Sequence, residues 1–205
     1  DQPPYKSIYD VLINKVPISS VFVTTSTPNL FLVPSRLSLA GAEIEMVNML
    51  TRETLLKKAL ATLVEDFDYI IIDCPPSLGL LTINALTASN FALIPAQADI
   101  FSVQGITQLG QTIDAVKRYT NKDLQILGIV LTRYSNRNIL SRDLQQVIED
   151  TAKSIHTKTY TQNIREAIAI KEAQALRQDI FSYDAKGNAT QDYGNLFQEI
   201  WQEIQ

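Results

Sequence analysis

The chain has 205 residues, 45% of them hydrophobic and 20% charged, with a formal net charge of −4. That supplies enough apolar sequence for one large domain over residues 1–205, and it excludes a polycation, so any nucleic-acid contact needs a local basic patch. One cysteine, Cys74, excludes an internal disulfide framework and suits a reducing cytosol, one histidine, His156, argues against the usual zinc site, and no apolar run reaches membrane-spanning length.

Strand and helix patterns alternate along the chain. "NLFLV" (29–33) reads as a short strand after Pro28. "GAEIEMVNML" (41–50) places Ile44, Val47 and Leu50 at helical spacing, and "RETLLKKALATLVEDF" (52–67) continues with Leu55, Leu56, Ala59, Leu60 and Leu63 on one face. "DYIIID" (68–73) is a continuous apolar run, the pattern of a strand buried on both faces of a parallel sheet. A helix over 79–89, a buried strand "FALIPA" (91–96) and a helix over 102–120 with Ser102 as its N-cap come next. "LQILGIVLT" (124–132) is a third buried strand. It is followed by a helix over 141–155 capped by Ser141, a short strand at 157–160, a partly helical stretch at 163–176, a loop at 182–191 and a closing helix over 192–204.

Repeated strand–helix units predict a doubly wound α/β fold, mostly parallel, with helices on both faces of the sheet. Ligands in such folds sit beyond the C-terminal ends of the strands. Asp73 ends the most apolar strand and precedes Pro75 and Pro76, the form of a Walker-B acid that holds Mg²⁺ through its water shell. The plainer alternative is an aspartate that caps the turn.

The stretch "DYIIIDCPPSLGLLTINALTAS" resembles the second nucleotide motif of the ParA/Soj partition ATPases. "VPSRLSLAGAEIEMV", "GIVLTRYSNRN" and "SYDAKGNATQDYGNLFQEI" resemble Soj-type proteins in the same order. The resemblance implies an ATP- and Mg²⁺-dependent cytoplasmic homodimer. It would associate with the nucleoid through non-specific DNA binding, and a ParB-type partner would stimulate its hydrolysis. On this pattern Asp73 matches the magnesium-site acid, Pro75 and Pro76 shape the loop beside the γ-phosphate, and Thr132 and Arg133 line the adenine pocket. Arg137 matches a basic position used for DNA, Arg165 and Lys171 lie in a second DNA-contacting region, and Lys186 is a further basic candidate.

The family begins with a strand, a deviant P-loop of the form KGGVGKTT and a DxDPQ motif, and neither motif occurs in these 205 residues. The expectation is a ParA-type ATPase domain truncated at its N-terminus and unable to hydrolyse ATP alone. The alternative is a non-catalytic module that binds DNA or a partner. "GITQLGQT" (105–112) imitates P-loop glycine spacing, but it carries Gln111 where the lysine belongs and its apolar residues follow a helical period. Cys74 has no base nearby in sequence and reads as a buried structural thiol. The closing helix carries Leu196, Phe197, Ile200 and Trp201 with Asp192, Glu199 and Glu203 but no basic residue, so it fits packing on the sheet better than a membrane surface.

Overall fold

The computed structural model describes residues 6–135 and 139–205, the side chains of 139–141 excepted. The chain forms two compact units: residues 1–90 with 112–124, and residues 91–111 with 125–205.

The second unit is the α/β sandwich. Strands β3 (Phe91–Ala96) and β4 (Gln125–Leu131) pair in parallel, joined through helix α5 (Ile100–Tyr119). The other edge of β4 is met by residues 158–165. The Ile129 N–H donates to the Lys158 carbonyl at 2.8 Å, the Tyr160 N–H to the Ile129 carbonyl at 2.8 Å, and the Ile164 N–H to the Leu131 carbonyl at 2.8 Å. Parallel bridges join Ile129 to Thr159 and Tyr134 to Arg165. β4 is therefore central, which is why its last four residues are buried on both faces. Ile129 and Leu131 pack with Ile106 of α5 and with Ile148 and Ala152 of α6 (Ile139–Ser154). Val130 packs on the opposite face with Tyr160, Ile164 and Leu196 of the closing helix, α9 (Asn188–Ile204). Helices thus cover both faces of a parallel sheet, as the alternating pattern predicts, and the closing helix packs on that sheet.

Gly128 lets the 158–160 segment come this close. A Cβ there would lie 2.7 Å from Tyr160 Cε2 and 3.2 Å from the Lys158 carbonyl. Gly110 has a similar role inside α5, where a Cβ would meet Ile155 Cγ2 at 2.5 Å. The stretch 105–112 lies inside a helix and does not form the strand-to-helix loop of a phosphate cradle. Helix α5 starts two residues earlier than predicted. Asp99, not Ser102, holds its first turn, accepting the Ser102 N–H at 2.7 Å. Helix α6 likewise begins before Ser141. The partly helical stretch resolves into α7 (Ile168–Ala175), and the predicted 182–191 loop is shortened by α8 (Ile180–Tyr183) and the start of α9.

The first unit holds α1 (Ile8–Leu12), an antiparallel pair β1 (Val23–Thr24) and β2 (Phe31–Leu32), and helices α2 (Leu39–Met46), α3 (Leu55–Leu60) and α4 (Leu80–Ala88). Val11, Ile18, Val21 and Leu63 form its apolar cluster, and Phe22, Phe31 and Phe67 meet edge to face or tilted beside it. Buried Asn84 of α4 accepts the Leu56 N–H at 3.1 Å and donates to the Arg52 carbonyl at 2.7 Å and the Leu80 carbonyl at 2.9 Å, tying α3 to α4.

Three sequence expectations fail in detail. Helix α2 ends at Met46 and buries Ala42 and Met46, leaving Ile44 77% and Leu50 92% exposed. The predicted helix over 52–67 is a 3₁₀ turn at Arg52–Thr54, then α3, then turns. The run 68–73 is not a buried strand: among the described residues it joins no ladder, and Ile71 is 93% exposed. A strand needs a neighbour to take its N–H and C=O groups, and the only ladder described in this unit is β1–β2. Outside any described ladder, 68–73 leaves Ile70 43% and Ile71 93% exposed.

Candidate nucleotide and nucleic-acid site

In the first unit the candidate segment is the one after the apolar run. Asp73, Pro75 and Pro76 are exposed. Helix α4 follows, and its entry is fixed by Glu43 of α2, whose carboxylate accepts the Leu81 N–H at 3.1 Å. A carboxylate is favourable there because the first N–H groups of a helix lack intrahelical partners and carry the positive end of its dipole. Gly79 makes room for it, since a Cβ at that position would collide with the Glu43 carboxylate. Thr82 donates to the Ser77 carbonyl at 2.6 Å, closing the turn between the prolines and the helix. Cys74 is exposed, a correction to the buried thiol expected, because the run before it joins no ladder among the described residues. Partial desolvation of the thiol and then the charge of Asp73 push its pKa up, the opposite of an activated nucleophile.

In the second unit a separate candidate region lies at the C-terminal end of β4. The Thr132 N–H and hydroxyl both donate to the Ala96 carbonyl, at 2.7 and 3.2 Å, joining the ends of the two strands. Arg133 takes a left-handed backbone, φ 50°, and Nη2 reaches Glu166 Oε1 at 3.2 Å. Lys171 Nζ reaches the same oxygen at 3.0 Å. Lys171, then Arg133, hold the Glu166 carboxyl below the usual range.

Arg165 lies beside this trio. Its Nε donates to Asp192 Oδ2 at 2.7 Å, its Nη2 to Oδ1 at 2.7 Å, and its backbone N–H to Oδ2 at 3.1 Å. Gln162 Nε2 donates a fourth bond to Asp192, at 3.2 Å. The Asp192 side chain is 3% exposed and that of Arg165 is 49% exposed, so the acid is buried and the base reaches solvent. Burial opposes the charged form of Asp192, but the Arg165 donors outweigh it and hold the carboxyl below the usual aspartate range. The same contact, chiefly its hydrogen bond, raises the pKa of Arg165. Tyr134, Ser135, Thr161, Gln162, Asn163, Arg165, Glu166 and Asp192 line a polar cavity of about 700 Å³ here.

The structure therefore gathers Arg133, Arg165 and Lys171 around Glu166 and Asp192. Lys186 stands apart on the exposed turn before α9, and Arg137 lies outside the described residues. Sequence reasoning missed Asp192 and Glu166 as partners. A signal for the first existed: Asp192, Glu199 and Glu203 fall on one face of the closing helix, and all three find partners in the 158–165 segment. Glu199 accepts the Thr161 and Gln162 N–H groups at 3.1 Å each, and Glu203 takes Lys158 Nζ at 2.6 Å.

Asp73 offers one carboxylate that suits a water-mediated Mg²⁺ contact. Among the described residues, however, no group of three or more His, Cys, Asp or Glu side chains is placed to hold a metal ion, and no glycine-rich loop opens a helix as a phosphate cradle. These residues alone do not fit a complete Mg²⁺–nucleotide site.

A family model described as an AAA domain matches residues 2–126. The sporulation initiation inhibitor protein Soj of Bacillus subtilis is 39% identical over 193 residues, which cover 94% of this chain and 75% of that protein. A Mycobacterium smegmatis structure, described as cobyrinic acid a,c-diamide synthase with a bound ATP analogue and magnesium, is 38% identical. Its TM-score is 0.72, over 82% of this chain and 65% of that one. The Cyanothece McdA structure superposes over 100% of this chain and 80% of that chain, with a TM-score of 0.87 at 20% identity, and shows the fold. The fold is that of the P-loop partition and cell-division ATPases. The chain belongs to the ParA/Soj family within that class. Among the described residues no helix is long and apolar enough to cross a membrane.

Proposed function

We propose that this chain carries the magnesium-acid and DNA-contacting portion of a ParA-type partition ATPase. The observation that carries the reading is the match to Soj across 94% of the chain, which includes the segment around Asp73 and the cationic cluster beyond β4. On this reading Asp73 holds Mg²⁺ through water, and Pro75 and Pro76 set the loop beside the terminal phosphate. Thr132 and Arg133 border the nucleobase, in keeping with their place at the C-terminal end of a parallel strand. Arg137, Arg165, Lys171 and Lys186 meet DNA phosphates without reading sequence. The working state is a cytoplasmic, nucleoid-associated homodimer on ATP and Mg²⁺, with hydrolysis stimulated by a ParB-type partner.

No KGGVGKTT-type loop occurs in these residues, so the 205-residue chain is expected to show no Mg²⁺-dependent ATP hydrolysis. The test is steady-state phosphate release by the purified chain, with and without DNA. Turnover well above background would overturn this account of the site. The incomplete phosphate cradle also favours a second reading, a non-catalytic module that binds DNA or a partner without an ATP cycle. Calorimetry with Mg²⁺–ATP separates the two. Nucleotide binding that is lost in Asp73→Ala supports the first reading, and DNA binding with no nucleotide binding supports the second.

A further inference from the structure

We infer that Asp192 is a positioning residue for Arg165, setting this arginine to receive a DNA phosphate. The inference rests on the reading that Arg165 contacts DNA, and it gives that contact a mechanism.

Asp192 is buried on α9 and takes four donors, three of them from Arg165. Two of the three form a parallel fork from Nε and Nη2, the geometry that fixes both the position and the plane of a guanidinium. A free arginine on a surface samples many rotamers, and holding it for one phosphate costs conformational entropy. Here that ordering is already in place. The fork uses the Nε–Nη2 edge of the guanidinium, and the side chain, 49% exposed, lines the polar cavity. Asp192 is itself anchored: the closing helix is tied to the same loop through Glu199, which accepts the Thr161 and Gln162 N–H groups, and through Asn195, which donates to Gln162 Oε1 at 3.2 Å. Around this loop Arg133, Arg165 and Lys171 stand against Glu166, Asp192 and Glu199, so a phosphate would be met by the placed guanidinium and not by a net positive surface.

The inference makes a prediction of sign. Removing an acid from a DNA-binding surface ordinarily tightens binding, because one repulsion is lost. Removing a positioning acid weakens it. The probe is a short fluorescent duplex of arbitrary sequence, titrated with the full 205-residue chain over a range of salt concentrations with Mg²⁺–ATP present. Arg165→Ala is expected to weaken binding about fivefold and to flatten the dependence of log K on log salt by about one phosphate contact. Asp192→Ala is expected to do nearly the same, and the double variant to be no worse than Arg165→Ala alone. Lys171→Ala should add to Asp192→Ala independently. A second readout needs no DNA: the Arg165 Nε–H should be protected from solvent exchange in the wild-type chain and exposed in Asp192→Asn, with a cooperative melt certifying the fold.

Tighter or unchanged binding by Asp192→Ala, alongside weaker binding by Arg165→Ala, would overturn the positioning role and leave the Arg165 contact standing. An Arg165 Nε–H that exchanges as fast as other surface arginines would overturn it as well. No effect of Arg165→Ala, or no DNA binding by the wild-type chain, would remove the reading beneath it and the inference with it.

Discussion

Residues 68–73 and 124–132 look alike as sequence and differ in the structure. Both are short apolar runs rich in isoleucine. The second is a strand with neighbours on both edges and four consecutive buried residues, including Ile129. Among the described residues the first belongs to no ladder, and Ile71 is almost wholly exposed. The difference is not hydrophobicity. A strand becomes a strand only when another backbone meets its N–H and C=O groups, and its side chains are buried only after the ladder has placed them between layers. For the run before Asp73 no such backbone stands among the described residues, so its apolar character is unused in this chain.

The sharpest way to break this comparison is to truncate one isoleucine in each run. Ile129→Ala is expected to cost about 2–5 kcal/mol, since it opens a cavity in a close-packed layer. Ile71→Ala should fall within about 0.5 kcal/mol of the wild type. Chemical denaturation of the two variants measures the contrast, and equal costs would mean that residue 71 is buried in solution.

Next in size is Gly128→Ala, expected to cost about 1–3 kcal/mol by pressing the 158–160 segment off β4. The same denaturation curves check it.

A comparable effect, about 1–3 kcal/mol, is expected of Arg165→Ala, which leaves the buried Asp192 carboxylate short of its main donors. Its pH dependence has a definite sign. The folded pKa of Asp192 lies below the ordinary value of 3.8. The stability of the pair is therefore complete above that value and falls away as pH drops through the lower folded value. The gap between wild type and Arg165→Ala should thus narrow only in that acid window.

The smallest effect should have the opposite direction. The Tyr160 hydroxyl is buried beside the Glu203 carboxylate without a well-formed hydrogen bond to it, and burial, followed by the Glu203 charge, raises its pKa to about 12. Tyr160→Phe removes a poorly paired polar group and should be neutral or stabilising by up to about 1 kcal/mol, read from the thermal melt.

Much of the second unit was legible in the sequence. Residues 91–96 form β3 as predicted, and the 124–132 strand is recovered as Gln125–Leu131. The short 157–160 strand survives as a bridge along β4. β3 is nevertheless less buried than its composition suggested, with Phe91 and Leu93 partly exposed, because among the described residues it pairs on one edge only. The helix over 52–67 was over-read: a continuous apolar period says which face would be buried, not where the backbone turns. Of the candidate site, the cations were legible as charges near a strand end. Their acids were not, because Glu166 meets Arg133 across 33 residues of sequence and Asp192 meets Arg165 across 27.

The sequence by itself determined the alternation of strands and helices, the family, the acid at the end of an apolar run and the helical nature of the imitation P-loop. These follow from local periodicity and from motifs of adjacent residues. Only the tertiary structure decided which apolar run became a strand, why Gly128 must lack a side chain and which acid holds Arg165. Each of those depends on what another part of the chain brings within a few ångströms, and the order of residues along the backbone does not specify that distance.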